Sequence, residues 1–324
     1  GFIVSREQNY QLELRSGICC VEDSDASDIN SLLDRANMAL KTIKVKGAAQ
    51  WKFYDHTMRD KLLREKDLEI RMEKALADGE FLVYIQPKYW VGTRALAGGE
   101  ALVRWKSPDQ GFLSPGEFIP LFEKNRFIVK LDQFMFTSVC GLLRQWLDAG
   151  IEPRPLSVNV SRMQFHTPDF VERYIRIKSQ YAIPDGLLEL EFTESIFFDN
   201  VALLSSAVHE LRRAGIKCSI DDFGAGYSSL NVLKALPVSV LKLDGMFFRT
   251  AKDDEQAKIV IRNIMRMAGE LKMATVAEGV ETHEQVAFLE TTGCDIIQGY
   301  VFARPMPAAE FTELLAGEGG HAER

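Results

Sequence analysis

The chain has 324 residues, 46% hydrophobic, 26% charged and 10% aromatic, a composition that excludes disordered, collagenous and disulfide-scaffold classes. At roughly 150 residues per domain, the length suits two domains or one large barrel with an appendage. Its 39 basic and 46 acidic residues leave a formal charge of −7, which argues against a protein that coats DNA or RNA through a basic surface. An anionic ligand would need local arginines or bound cations.

No stretch reaches the roughly 18 apolar residues of a membrane span, so no membrane contact is expected in this chain. The five cysteines lack CxxC spacing and read as buried thiols of a reducing, cytoplasmic compartment. The five histidines are scattered without a HExxH pair, which speaks against zinc. The chain opens on Gly1 with no signal peptide after it, so it reads as an excised piece whose upstream sensor or membrane tether would lie outside it.

Residues 1–57 hold an extended stretch (10–20), an acidic turn (22–28), a helical run (29–44) and a short strand (51–54). Within the run, Leu32, Leu33, Ala36, Ala39, Leu40 and Ile43 fall at spacings of three and four, one face of an amphipathic helix. Gly47 supplies a stop. This piece has too few elements to bury a core of its own. Residues 58–76 thread Leu62, Leu63, Leu68, Ile70, Met72 and Ala75 through dense charge and predict a linking helix with a solvated face.

Beyond that, eight short apolar runs (81–85, 95–103, 156–160, 187–192, 216–220, 238–243, 274–277 and 296–301) alternate with helical patterns (127–149, 170–180, 201–214, 228–235, 254–271 and 283–292). Ser114-Pro115-Gly116-Glu117 and Thr282-His283-Glu284-Gln285 carry capping-box helix starts. The alternation predicts parallel strands joined by right-handed crossovers. Eight units in about 250 residues predict an α/β fold of the TIM (β/α)8 type over residues 77–316, with 317–324 a flexible tail. No GxGxxG or P-loop motif favours a nucleotide-binding open sheet.

In such a barrel, chemistry gathers where strand C-termini converge. The polar residues at those ends are Glu100, Asn159, Glu191, Asp221 with Asp222, Lys242, Glu278 and Gln298. Singly, each reads as a turn or cap residue. Together, five carboxylates and no histidine at one mouth would repel one another unless cations neutralise them, and oxygen ligands select hard ions such as Mg²⁺ or Mn²⁺.

Asp221-Asp222 is the sharpest element. Neighbouring strand residues face opposite sides, so both reach one site only where the strand ends and turns, as the glycines of Phe223-Gly224-Ala225-Gly226-Tyr227 allow; the bland alternative is a surface turn. Two divalent ions roughly 4 Å apart would polarise a phosphodiester and bring a bridging water to hydroxide near neutral pH. Lys242 would hold that water or simply pair with Asp221 or Asp222. Arg104 is the candidate phosphate clamp, or a surface arginine. These residues support metal-assisted hydrolysis of a phosphate ester without naming the substrate.

The motifs closely resemble the EAL-domain phosphodiesterases, which cleave the bacterial messenger cyclic di-GMP. The tripeptide stands as Glu100-Ala101-Leu102, continuing to Val103-Arg104-Trp105 and then Phe118-Ile119-Pro120. Gln86-Pro87 precedes it. Ser157-Val158-Asn159-Val160-Ser161, Glu191-Phe192-Thr193-Glu194-Ser195, Asp221-Asp222-Phe223-Gly224-Ala225-Gly226, Lys242-Leu243-Asp244, Ala277-Glu278-Gly279-Val280-Glu281 and Gln298-Gly299-Tyr300 with Arg304-Pro305 follow in the family's order.

Over residues 62–316 the resemblance implies metal ligation by Glu100, Asn159, Glu191, Asp221, Asp222 and Glu278. Glu278 would also serve as catalytic base, Lys242 would orient the attacking water, and Gln298 would position water or substrate. Gln86, Leu102, Arg104 and Pro305 would line the dinucleotide, Asp132 would read a guanine edge, and Glu194 would anchor the Asp-Asp-Phe-Gly loop. It further implies a barrel whose first strand is antiparallel, two Mg²⁺ or Mn²⁺ ions with Ca²⁺ inhibitory, a homodimer, and linear pGpG as product. Two other readings stay open: a cyclic di-GMP receptor that binds without cleaving, and a scaffold for protein partners.

Residues 1–57 resemble the last third of a GGDEF, diguanylate-cyclase-like domain through Ser16-Gly17-Ile18, Arg35-Ala36-Asn37-Met38-Ala39-Leu40 and Trp51-Lys52-Phe53-Tyr54-Asp55. Asn37 and Lys41 depart from the usual aspartate and tyrosine, and no GGDEF signature occurs in the sequence. The expectation is a partial or degenerate remnant without cyclase activity.

Overall fold

The computed structural model describes residues 2–5, 8–11, 14–21, 28–43, 50–194, 196, 201–224, 237–250 and 254–319. The chain divides into two units, Gly1–Glu73 and Lys74–Arg324. In the first, strands β1 (Phe2–Ser5) and β2 (Gln8–Gln11) pair antiparallel. Strands β3 (Ser16–Ile18) and β4 (Trp51–Phe53) pair parallel, with helix α1 (Ile29–Lys41) between them in sequence, as a parallel pair requires a crossover. The Asp28 carboxylate caps α1 by accepting from the Asn30 N–H. Gly17 lies so close to α1 that a Cβ would stand 1.9 Å from the Ala36 carbonyl oxygen. Leu14, Leu33, Trp51 and Phe53 remain exposed. The linking helix, α2, spans His56–Ala77.

The second unit holds β5 (Phe81–Trp90), β6 (Leu96–Ser107), β7 (Gly111–Leu113), α3 (Pro115–Lys124), α4 (Ile128–Asp148), β8 (Leu156–Asn159), α5 (Phe170–Gln180), β9 (Leu188–Thr193), α6 (Val201–Arg213) and β10 (Lys217–Phe223). There follow β11 (Val240–Leu243), α7 (Met246–Thr250), α8 (Glu255–Glu270), β12 (Ala274–Ala277), α9 (His283–Glu290), β13 (Ile296–Ile297), β14 (Met306–Pro307) and α10 (Ala308–Gly319). Strands β5, β13, β12, β11, β10, β9, β8 and β6 form a ring that the β5–β6 pairing closes, and β7 and β14 pair at its margins.

This is the expected eight-stranded barrel with one correction to the alternation argument. Strand β5 runs antiparallel to both β6 and β13, as the family resemblance implies. The cause is local: β5 and β6 are joined by a short turn with Arg94 in the left-handed region at φ 63°, far too short for a crossover. The predicted helix at 228–235 and the residues of the expected tail beyond Gly319 lie outside the described residues.

Strand alternation gives the barrel an apolar outer layer and a polar interior. Leu156, Val158, Leu188, Leu190, Cys218, Ile220 and Leu241 belong to one buried cluster with Phe136, Val139, Leu143, Trp146 and Tyr174 of the surrounding helices. Each such side chain stabilises the fold by about 1.5–3 kcal/mol relative to exposure. The intervening positions carry buried polar groups: Gln86, Lys88, Glu100, Ser157, Glu189, Glu191, Ser219, Asp221, Lys242 and Gln298. Of the cysteines expected to be buried, Cys140, Cys218 and Cys294 are, while Cys19 is intermediate and Cys20 exposed.

Candidate functional site

The strand-end residues converge on Lys242. Its ammonium lies 2.5 Å from Glu191 Oε2, 2.6 Å from Glu278 Oε1, 3.0 Å from Asp221 Oδ1 and 3.5 Å from Glu100 Oε2. Three protons thus serve carboxylates from four strands or strand ends. Around this hub Asn159 Nδ2 donates to Glu100 Oε1 at 2.6 Å, and Gln298 Nε2 donates to Glu100 Oε2 at 2.6 Å and to Gln86 Oε1 at 3.2 Å. Gln86 is therefore part of the polar ring at the mouth, and its own amide donates to the Ala303 carbonyl at 3.4 Å.

Asp221 and Asp222 share the site for the reason their sequence suggests. The β10–β11 register shifts between Ile220 and Phe223, and Asp222 takes φ 53°, a backbone conformation uncommon for a residue with a side chain. The turn swings Asp222 toward its neighbour, so oxygens of Asp221, Asp222 and Glu278 lie within 4.8 Å of one another. Gly224 follows at φ 93°, and its N–H donates to Glu194 Oε2 at 3.1 Å. Ser195 and residues 225–236 lie outside the described residues.

Burial and mutual repulsion set the charges. Burial, reinforced by Glu191 and Asp221, raises the Glu100 carboxyl, and burial beside Asp221 raises Glu278 well above the ordinary range. Asp222 is pushed to about 6 by burial and by Asp221. Glu191 goes the other way: burial opposes its ionisation, but Lys242 and Lys88 hold it at about 2. Burial also opposes the charge on Lys242, and the surrounding carboxylates overcome it and keep the ammonium firmly protonated.

The donor set fits hard divalent cations. It offers carboxylate oxygens whose charge two ammonium groups do not balance, an Asn159 side chain beside them, and a buried Gln298 Oε1 with no hydrogen-bond partner. Oxygen ligands without nitrogen or sulfur suit Mg²⁺ or Mn²⁺.

Beside the carboxylates opens a cleft of about 320 Å³ whose lining includes Leu102, Arg104, Asp132 and Asn159. Arg104 stacks its guanidinium over Tyr84 at 5.5 Å and donates to the Val103 carbonyl. Asp132 Oδ2 accepts from the Ser161 N–H at 2.9 Å and from Gln164 Nε2 at 3.2 Å, and burial pushes its pKa to about 7. Pro305 is half-buried just before β14, whose Met306 pairs with Ile85; it does not line this cleft.

Sequence reasoning missed two groups of residues. Lys88 donates to Glu191 Oε1 at 2.9 Å and to Ser157 Oγ at 2.7 Å; its two-residue spacing from Gln86 was the available signal, because both must face the interior. Glu123 and Gln164 support the cleft, Glu123 by accepting from Ser161 Oγ at 2.9 Å. No sequence signal marked them.

The described residues contain no helix long and apolar enough to cross a membrane. Residues 70–305 match the family model described as EAL domain. An uncharacterized protein of Synechocystis is 33% identical over 315 residues, covering 97% of this chain and 45% of that protein. The bifunctional diguanylate cyclase/cyclic di-GMP phosphodiesterase MucR of Pseudomonas aeruginosa is 32% identical over 292 residues, covering 90% of this chain and 43% of MucR. The chain thus spans less than half the length of these curated relatives. The solved cyclic di-GMP complex of the PaMucR phosphodiesterase superposes with a TM-score of 0.71 at 35% identity, covering 76% of this chain and 99% of that one. On the family match over most of its length, and with the barrel and strand-end residues in place, the chain belongs to the EAL domain family.

Proposed function

We propose that this chain is a divalent-metal-dependent phosphodiesterase that opens cyclic di-GMP to linear pGpG. The observation that carries the reading is that Glu100, Glu191, Asp221 and Glu278 converge on one ammonium at the barrel mouth, with Asn159 bonded to Glu100 and Asp222 beside Asp221 and Glu278. Relatives whose names state cyclic di-GMP phosphodiesterase activity support the choice of substrate. Mg²⁺ or Mn²⁺ held by these residues would supply Lewis acidity to the phosphodiester and to water.

The chain's own groups do the rest. Glu278, held by Lys242 at 2.6 Å, takes a proton from the attacking water as the water oxygen bonds to phosphorus. The P–O3′ bond breaks, the 3′ oxygen leaves as a hydroxyl after taking a proton from solvent, and the product keeps a 5′ phosphate. Lys242 stays an ammonium and orients the water, and Gln298 positions water or substrate. Arg104, Gln86 and Leu102 hold the dinucleotide, Asp132 accepts from a guanine N–H, and Glu194 steadies the loop after Asp222. The first 57 residues act as a GGDEF-like remnant, and the barrel works as a homodimer.

The test is product analysis. Purified chain with cyclic di-GMP should release pGpG in Mg²⁺ or Mn²⁺ and none in Ca²⁺. Cyclic di-GMP that binds in Mg²⁺ and Mn²⁺ without pGpG release would make the chain a receptor and sink this reading.

A further inference from the structure

Lys88 has no role in the reaction just described, yet it lies inside the barrel against one of its principal carboxylates. Its side chain is 7% exposed and that of Glu191 is fully buried. Ser157 Oγ fixes the ammonium from one side at 2.7 Å and Glu191 Oε1 meets it at 2.9 Å. Glu189 occupies the same face of β9 one pleat earlier, buried and with its Oε1 lacking a hydrogen-bond partner. It adds to the negative field around Lys88.

Glu191 is therefore gripped at both oxygens, by Lys88 at Oε1 and by Lys242 at Oε2. The two ammonium groups are not equivalent. Lys242 is shared among Glu191, Glu278, Asp221 and Glu100, and a divalent ion drawn to those carboxylates competes with it for their oxygens. Lys88 meets only Glu191 of that set within salt-bridge distance. Its hold on Oε1 is independent of what happens at Oε2.

We propose that Lys88 is a positioning residue for divalent-ion binding: it pins Glu191 through Oε1 and so directs Oε2 to the barrel mouth. The proposal rests on the reading of Glu191 as a metal ligand. Two effects of removing Lys88 oppose each other. Deleting a positive charge near a cation site favours the cation by Coulomb attraction. Deleting the group that orients a metal ligand weakens binding, by about 10- to 100-fold in comparable sites. Orientation wins here because Glu191 is fully buried: without Lys88, Lys242 is its sole cationic partner, and the carboxylate turns both oxygens onto that ammonium, so that Oε2 is no longer held in one direction for a divalent ion.

Lys88→Met keeps an unbranched side chain, one atom shorter, without the charge. Calorimetric Mn²⁺ titration without nucleotide should show a dissociation constant raised about 10- to 100-fold over wild type. At saturating Mn²⁺, KM for cyclic di-GMP should stay near the wild-type value. Ser157→Ala leaves both charges in place and removes the hydroxyl that steadies the ammonium and also bonds Glu191, so it should weaken Mn²⁺ binding in the same direction and by less; it decides the matter if Lys88→Met does not fold. Unchanged or tighter Mn²⁺ binding in a folded variant overturns the proposal. Absence of Mn²⁺ binding by wild type removes the metal-ligand reading itself, and the proposal with it.

Discussion

Glu191 and Asp132 are both buried carboxylates of the barrel unit, and they stand at opposite ends of the titration range. Glu191 lies between two ammonium groups and is held at about 2. Asp132 receives only a backbone N–H and a carboxamide, and burial lifts it to about 7. Partners, more than depth, decide the charge of a buried acid. Glu191 stays ionised within a mouth whose clustered carboxyls suit a cation. The cleft around Asp132 holds an acceptor that gains charge near neutrality.

The largest expected effect tests the mouth. Glu278→Ala should lower turnover by about 10²- to 10⁴-fold, the usual contribution of a group that moves a proton in the transition state, while cyclic di-GMP binding persists. Rate and affinity measured on the same preparation check this; unchanged turnover would remove Glu278 from its role as base. Lys242→Met comes next. It leaves Glu100, Glu191, Asp221 and Glu278 without their shared counter-charge, and breaking a buried ion pair in this one-sided way costs about 3–5 kcal/mol. Urea unfolding should show that loss without divalent ions and a smaller one with Mn²⁺ present. Equal stability of the variant and wild type without metal would contradict the contrast with Asp132, because the mouth would then not depend on its ammonium. Asp222→Asn should cause a smaller loss, raising the Mn²⁺ concentration needed for half-maximal rate by removing charge from the Asp221, Asp222 and Glu278 group.

Much of this is legible in the sequence because the barrel writes itself into it twice. Runs such as Leu188–Thr193 alternate apolar and polar residues, which identifies a strand and at the same time marks Glu189 and Glu191 as sharing the interior face. The last polar residue of each run then falls at the mouth. Lys88 escaped because that rule looks only at C-terminal strand ends, and β5 runs against the others, so its interior residues address the site in reverse order. The antiparallel sense of β5 was hidden from periodicity, which carries no direction. Strands β7 and β14 are three and two residues long, too short for any pattern. The Asp132 cleft was legible only through family resemblance: along α4, a buried aspartate among Ile128, Leu131, Met135 and Phe136 looks like a break in an apolar face.

The cleft itself is tested by Asp132→Asn, with effects of opposite sign on stability and binding. A carboxyl raised from an ordinary 3.8 to about 7 holds its proton in the folded chain after the unfolded chain has lost it. Its contribution to stability is thus complete below about pH 4, declines as pH rises, and is gone above about pH 7, a span of about 4 kcal/mol at most. Asparagine keeps an acceptor for Ser161 N–H and Gln164 Nε2 and never ionises. The variant should therefore gain on wild type progressively from pH 5 to pH 7 and keep a constant advantage above, of about 1–3 kcal/mol after allowance for relaxation. Cyclic di-GMP should bind more weakly at pH 8, because a carboxamide turned toward guanine N–H groups presents a donor where an acceptor is needed. A pH-independent stability difference would show that Asp132 is ionised throughout, and that its setting is closer to that of Glu191 than the hydrogen bonds at Oδ2 imply.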